Sequence, residues 1–155
     1  MKLNKSTKKK LLTSTNKSLK IAIILPRFND TLGQKLLLNT QNELKELGVK
    51  NVQIYRVPGT LELPFAALKI ALSKKFHAII ALGIVIRGGT KHFDLVVETA
   101  YQGLMEVTLD EDTPIIFGVL AVENEKQAIE RVEKTKMNKG KEFAQAAVEM
   151  ATFRA

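Results

Sequence analysis

The 155-residue chain contains no cysteine and no tryptophan, two histidines (His77 and His92) and four prolines. Without cysteine it can form neither disulfides nor thiolate metal sites, and its composition suits a reducing compartment. The two histidines lie far apart in sequence, so no metal-ligand spacing exists and no metal is expected. No apolar run approaches the length that spans a membrane; the longest candidates are short pieces such as "IAIIL" and "AIIALGIVI". The Lys-rich start lacks the apolar core of a secretory signal. A Walker loop, a G-x-G-x-x-G and a Gly-x-Ser-x-Gly elbow are all missing, which removes the common dinucleotide and nucleophilic-hydrolase readings. These absences leave a soluble, cytoplasmic chain without a membrane partner as the expectation.

Acidic residues are also missing from the first twenty positions, which hold seven lysines: Lys2, Lys5, Lys8, Lys9, Lys10, Lys17 and Lys20. Of 24 basic residues in the chain, 17 then remain against 16 acidic ones, so the formal charge of +8 belongs mostly to this segment. Residues 1–19 therefore read as a flexible basic arm and residues 20–155 as a single domain. No aromatic residue interleaves the lysines, which disfavours nucleic-acid binding.

Hydrophobic residues make up 45% of the chain and gather in four short runs rich in Ile and Val: "KIAIIL" (20–25), "VQIYRV" (52–57), "AIIALGIVI" (78–86) and "PIIFGVL" (114–120). Three are nearly continuous, the pattern of strands covered on both faces, whereas "VQIYRV" alternates and belongs nearer an edge. Helical periodicity fills the gaps. Thr31 and Gln34 have capping-box spacing ahead of a helix that stops at Gly48. Further helices are predicted over about 61–75, with Pro64 in the first turn, then 91–109, 124–134 and 139–152. The order β-α-β-α-β-α-β-α-α implies a doubly wound α/β fold with a parallel sheet. Ligands of such sheets gather at the carboxyl ends of the strands, here just after Leu25, Val57, Ile86 and Leu120.

After the first strand, Phe28 can stack a flat ligand and Asn29 can hydrogen-bond it. Equally, Phe28 can be core while Asn29 and Asp30 cap a helix, and the residues alone favour that structural alternative. After the second strand, Glu62 either complements a helix dipole or accepts hydrogen bonds from ligand hydroxyls, and both readings stay open. After the third strand, Gly88 and Gly89 allow close backbone approach and Thr90 adds a hydroxyl where a helix begins. That combination suits an anion, most naturally a phosphate. His92 falls in the first turn, where the dipole disfavours imidazolium and a proton-accepting imidazole is expected. His77 sits at an ordinary strand entry.

Taken together, "RFN" (27–29), "VPGTLELPFAA" (57–67), "AIIALGIVIRGGTKHFD" (78–94), "PIIFGVL" (114–120), "EKQAIERV" (125–132) and the last segment from "NKG" (138–140) to "AAVEMA" (146–151) resemble the lumazine synthase family. The resemblance covers the chain from about Lys20 to its end. It implies a flavodoxin-like three-layer α/β sandwich with a four-stranded parallel sheet flanked by helices. It further implies condensation of 5-amino-6-(D-ribitylamino)uracil with 3,4-dihydroxy-2-butanone 4-phosphate to 6,7-dimethyl-8-ribityllumazine in riboflavin biosynthesis, with no metal or organic cofactor. The alternative is a non-catalytic relative of the same fold that binds a flavin or lumazine without turnover.

Carried onto this chain, the resemblance assigns His92 as general acid/base and Arg131 as a clamp on the substrate phosphate. Phe28 would stack on the pyrimidine, Asn29 and Glu62 would hold ribityl hydroxyls, and the backbone at Thr60 and Leu61 would line the same region. The backbone of Ile84, Val85 and Ile86 would read the polar edge of the uracil, while Gly89 and Thr90 would bind phosphate. Phe117 and Lys139 complete the set, and with Arg131 they come from a neighbouring subunit. Family members form homopentamers or icosahedral shells of 60 subunits, with sites at subunit interfaces. No residues are inserted between Arg131 and "NKG", which favours shell geometry. Leu61 stands where the family usually has an aromatic, Ile84 where it often has a smaller residue, and "EKTKMNKG" (133–140) lacks the glycines usual at that turn.

Overall fold

A computed structural model of the chain describes residues 13–155. Four strands, β1 (Lys20–Pro26), β2 (Asn51–Val57), β3 (Ala78–Ile86) and β4 (Ile115–Val122), form one parallel sheet in the order β2-β1-β3-β4. The alternating run occupies an edge, and most of its residues are exposed or half-buried, unlike those of the central strands. Five helices cover the two faces: α1 (Asp30–Glu46), α2 (Leu63–Leu72), α3 (His92–Asp110), α4 (Glu125–Val132) and α5 (Lys139–Ala151).

Strand alternation sorts the core into two clusters. Ile21, Ile23 and Leu25 of β1 and Ile80, Leu82 and Ile84 of β3 point toward Leu32, Leu36 and Leu44 of α1, Ala128 of α4 and Ala147 of α5. Ala22 and Ile24, with Ile79 and Ala81, point the other way toward Leu63, Ala67 and Ile70 of α2 and Leu104 and Val107 of α3. Both faces of the central strands are thus sealed, which explains their unbroken apolar runs. Ile80 is fully buried on β3; Ile80→Ala is expected to cost about 2–5 kcal/mol in a denaturant titration, with the slope unchanged.

The helices on the α1 face pack closely because α5 presents small residues. A Cβ on Gly140 would lie 2.8 Å from the Leu36 carbonyl oxygen and 2.9 Å from Thr40 Oγ1, so only glycine permits this crossing. Glu43 and Gln145 join the same two helices through a buried hydrogen bond of 2.8 Å.

Two sequence expectations need correction. The helix after β1 has no capping box at Thr31: it begins at Asp30, and the residue before it, Asn29, adopts a left-handed conformation with φ 56°. The ordered fold also starts before Lys20. Ser14–Ser18 form a 3-10 turn, Asn16 Nδ2 donates 2.7 Å to the Leu47 carbonyl at the end of α1, and Leu19 joins the core. That carbonyl is one that the helix itself cannot satisfy, which gives the buried Asn16 a structural task. The remainder of the expected basic arm, residues 1–12, lies outside the described residues.

Candidate active site

β1 and β3 are neighbours, but their crossovers leave in opposite directions. α1 follows β1 onto one face of the sheet and α3 follows β3 onto the other, so a crevice opens between the two carboxyl ends. The register shows where it opens. β1 pairs with β3 only as far as Ile24 opposite Ala81, whereas β3 runs on against β4 to Ile86 opposite Val122. The edge of β3 facing β1 is therefore unpaired beyond Ala81, and its backbone groups are available to something other than a strand.

One such group is already used. Asn29 Nδ2 donates 2.8 Å to the Ile84 carbonyl, bridging the end of β1 to β3 across the mouth of the crevice. The left-handed turn that aims Asn29 inward leaves its neighbour Phe28 outside, 75% exposed. The structural alternative for both residues fails here: Phe28 is not core, and the Asn29 side chain caps no helix.

Around the crevice lies a cleft of ≈ 290 Å³, lined by Phe28, Asn29, Thr60, Leu61, Glu62, Ile84, Val85, Ile86, Thr90 and His92 among the expected site residues. Gly88, expected from the glycine pair after β3, lines it too, and Gly59, Phe93 and Val96 join without a site role having been read from the sequence. Gly59 is explained by Glu62, which follows it in a 3-10 turn, Thr60–Glu62, ahead of α2. A Cβ at position 59 would come within 3.1 Å of the Glu62 carboxylate. Phe93 and Val96 belong to the apolar stripe of α3, and sequence periodicity marks them only as core.

The β3–α3 loop and the start of α3 hold the two glycines, the threonine and the histidine that the sequence sets beside one another. Gly88 and Gly89 are exposed, and a Cβ on either would meet nothing within 4 Å. Thr90 Oγ1 accepts 3.3 Å from the His92 backbone N–H, one of the unpaired donors of the first turn of α3. His92 opens the helix, so its imidazole stands where those donors attract negative charge. A group placed against Gly88–Thr90 would therefore meet backbone donors of the loop and the helix start, with the His92 ring also lining the cleft.

Arg87 holds the loop from outside the cleft. Its Nη1 and Nη2 donate to the two carboxylate oxygens of Asp94, each at 2.9 Å, and Nε donates 2.8 Å to Glu123. The guanidinium keeps the Asp94 carboxyl below its ordinary range, with Lys91 adding to the effect. A carboxylate lowered on folding stabilises above its unfolded pKa, roughly 4, and that contribution is lost as pH falls through the lower folded value. Asp94 side-chain NMR is accordingly expected to titrate below the ordinary Asp range, returning toward it in Arg87→Met.

Four expected site residues do not line this cleft. Gly89 lies in the exposed loop beside it. Arg131, on α4, donates 3.0 Å to the Gln127 carbonyl of its own helix. Lys139 opens α5 and pairs with Glu142 at 2.7 Å, and Phe117 on the outer strand β4 meets Tyr101 edge-on at 5.5 Å. Among the described residues none from the end of β4 lines the cleft, and the lining comes from the ends of β1, β2 and β3 and the segments that follow them. His77 keeps its structural role, its Nδ1 accepting 2.9 Å from the Lys20 N–H. Among the described residues no cluster of three or more His, Cys, Asp or Glu could hold a metal ion, and no helix is long and apolar enough to cross a membrane.

Comparison with known proteins places the sequence in a family. The family model described as 6,7-dimethyl-8-ribityllumazine synthase matches residues 18–155. The chain is similar to the 6,7-dimethyl-8-ribityllumazine synthase of Thermococcus onnurineus, 47% identical over 87% of this chain and 88% of the relative. It is also similar to that of Chlorobium phaeobacteroides, 46% identical over 88% and 90%, and of Thermococcus kodakarensis, 45% identical over 86% and 85%. On its matching sequence the chain belongs to the 6,7-dimethyl-8-ribityllumazine synthase family.

Proposed function

We propose that the chain acts in riboflavin biosynthesis, condensing 5-amino-6-(D-ribitylamino)uracil with 3,4-dihydroxy-2-butanone 4-phosphate to 6,7-dimethyl-8-ribityllumazine. The observation that carries this reading is the gathering of Phe28, Asn29, Thr60–Glu62, Ile84–Ile86, Thr90 and His92 around one crevice at the ends of β1, β2 and β3. The exposed Phe28 ring offers a face to the pyrimidine. The unpaired edge of β3 offers alternating N–H and C=O groups to the polar edge of the uracil. Asn29 and Glu62 face the ribityl chain, and Gly88–Thr90 with the first turn of α3 receive the phosphate.

In the reaction, the 5-amino nitrogen adds to the ketone carbon and water leaves, giving an imine. Loss of a proton from the carbon skeleton expels inorganic phosphate, and the ribityl-bearing nitrogen then closes the second ring with loss of a second water. Each step moves protons at atoms beside the phosphate, where His92 stands as donor and acceptor. A binding-only relative would not need such a group there. Holding both substrates in one cleft supplies the remainder by positioning.

The placement of Arg131, Lys139 and Phe117 away from the cleft of their own chain favours a homo-oligomer in which they complete a neighbour's site. Arg131 would grip the phosphate with its planar fork, and the closed assembly would be a pentamer or a shell of pentamers. Mixing the protein with both substrates and following lumazine absorbance together with phosphate release tests the reaction. One phosphate per lumazine, well above the spontaneous rate, is expected; product at the background rate alone refutes the enzyme.

A further inference from the structure

The geometry points to Arg87 as a positioning residue that holds the β3–α3 loop in its anion-binding form, an assignment that rests on the synthase reading of the cleft. Arg87 directly follows β3, and its backbone N–H continues the ladder to the Val122 carbonyl of β4 at 2.9 Å. From this fixed root the guanidinium reaches the first turn of α3 through the bidentate Asp94 pair and the end of β4 through Glu123. It also lies 4.2 Å from the ring centre of Phe93, whose other contacts include the cleft itself. One planar group therefore ties together both ends of the Gly88–Lys91 loop and the strand beside it.

The loop needs such a tether. Gly88 and Gly89 have no side chains to pack and open space around their Cα atoms, and glycines lose more conformational freedom than any other residue when ordered. Arg87 also answers an electrostatic difficulty. Asp94 lies two residues beyond His92, and its carboxylate would repel an anion held at Gly88–Thr90 if its charge were not matched. Arg87 matches it without lining the cleft, so it does not compete for the phosphate. The tether extends further: the Glu123 N–H donates 2.9 Å to Gln127 on α4, whose carbonyl accepts from Arg131. The loop of one site and the arginine presented by α4 are thus built on one polar chain.

The test compares Arg87→Met, Arg87→Lys, Asp94→Asn and the Arg87→Met/Asp94→Asn double variant. For Arg87→Met the KM for the phosphorylated ketone is expected to rise about tenfold while that for the pyrimidine stays within about twofold. Arg87→Lys, which keeps the charge but loses the fork, should fall between Arg87→Met and the wild type. The double variant should be no worse than Arg87→Met alone, because the pair acts as one unit. Equal rises in both KM values together with a lowered melting temperature, or additive losses in the double variant, would overturn the assignment. Inorganic phosphate titrated into the free protein, followed on the His92 ring resonances, gives a readout independent of turnover. Affinity about tenfold lower in Arg87→Met supports the tether, and unchanged affinity refutes it. A wild type that binds phosphate but forms no product would instead refute the synthase reading and leave the phosphate result to decide the tether.

Discussion

His92→Ala is expected to lower kcat by about 10²-fold while leaving both KM values within a few-fold. On the proposed reading the imidazole moves protons in the transition state, and the groups proposed to grip the substrates, Thr90, the loop backbone and Phe28, are untouched by its removal. A residual rate above the spontaneous reaction should persist, since the cleft still holds two reactants together. His92→Asn, which preserves polarity and volume better but cannot shuttle a proton at neutral pH, should behave like the alanine variant. Initial rates of lumazine formation at saturating concentrations of both substrates provide the measurement. A kcat within twofold of wild type would remove His92 from the chemistry.

Arg131→Ala should act on the other half of the reaction. Loss of a charge-assisted fork to the phosphate is expected to raise the KM for the phosphorylated ketone about 10–100-fold, with the dependence on pyrimidine concentration little changed. Arg131→Lys should recover part of the loss as a point charge without the paired geometry. In its own chain the Arg131 guanidinium bonds only back to the Gln127 carbonyl among the described contacts. Its removal is therefore expected to leave the melting temperature of the fold nearly unchanged. An unaltered response to ketone concentration would refute the role.

The fold was legible in the sequence because burial on two faces leaves a plain mark. Ile21–Leu25 and Ala78–Ile84 are apolar without interruption, and both stand inside the sheet. The exceptions have physical reasons. Asn16 and Thr13 have the composition of a solvated arm, yet the end of α1 needs a donor and Asn16 supplies it, so the fold begins earlier than composition implies. Thr31 has capping-box spacing, but Asn29 turns left-handed to reach Ile84, 55 residues away, and a local pattern carries no trace of that partner.

The site was legible at its strand ends and not elsewhere. Glycines, a hydroxyl and a histidine after "GIVIR" mark residues that the fold does bring to the cleft, Gly88, Thr90 and His92 among them. Whether Phe28 is core depends on where β1 stops, and the chain settles this by turning at Pro26 and Arg27 so that the ring stays outside. The role of Arg87 leaves no mark in the sequence, because its partners Asp94 and Glu123 meet it only once α3 and β4 have folded. Arg131, Lys139 and Phe117 came from resemblance alone, since nothing in one chain's spacing encodes a neighbour.

That division between chains is the central claim, and mixing the two variants tests it most directly. His92→Ala and Arg131→Ala are unfolded together at equal concentrations, refolded and assayed for lumazine formation at a ketone concentration well below the wild-type KM, where each variant alone is expected to be slow. If every site takes His92 from one chain and Arg131 from the next, about a quarter of the sites in the mixture regain both residues, and activity should rise to about a quarter of the wild-type value. Activity no greater than the mean of the two separate variants would contradict a site shared between chains.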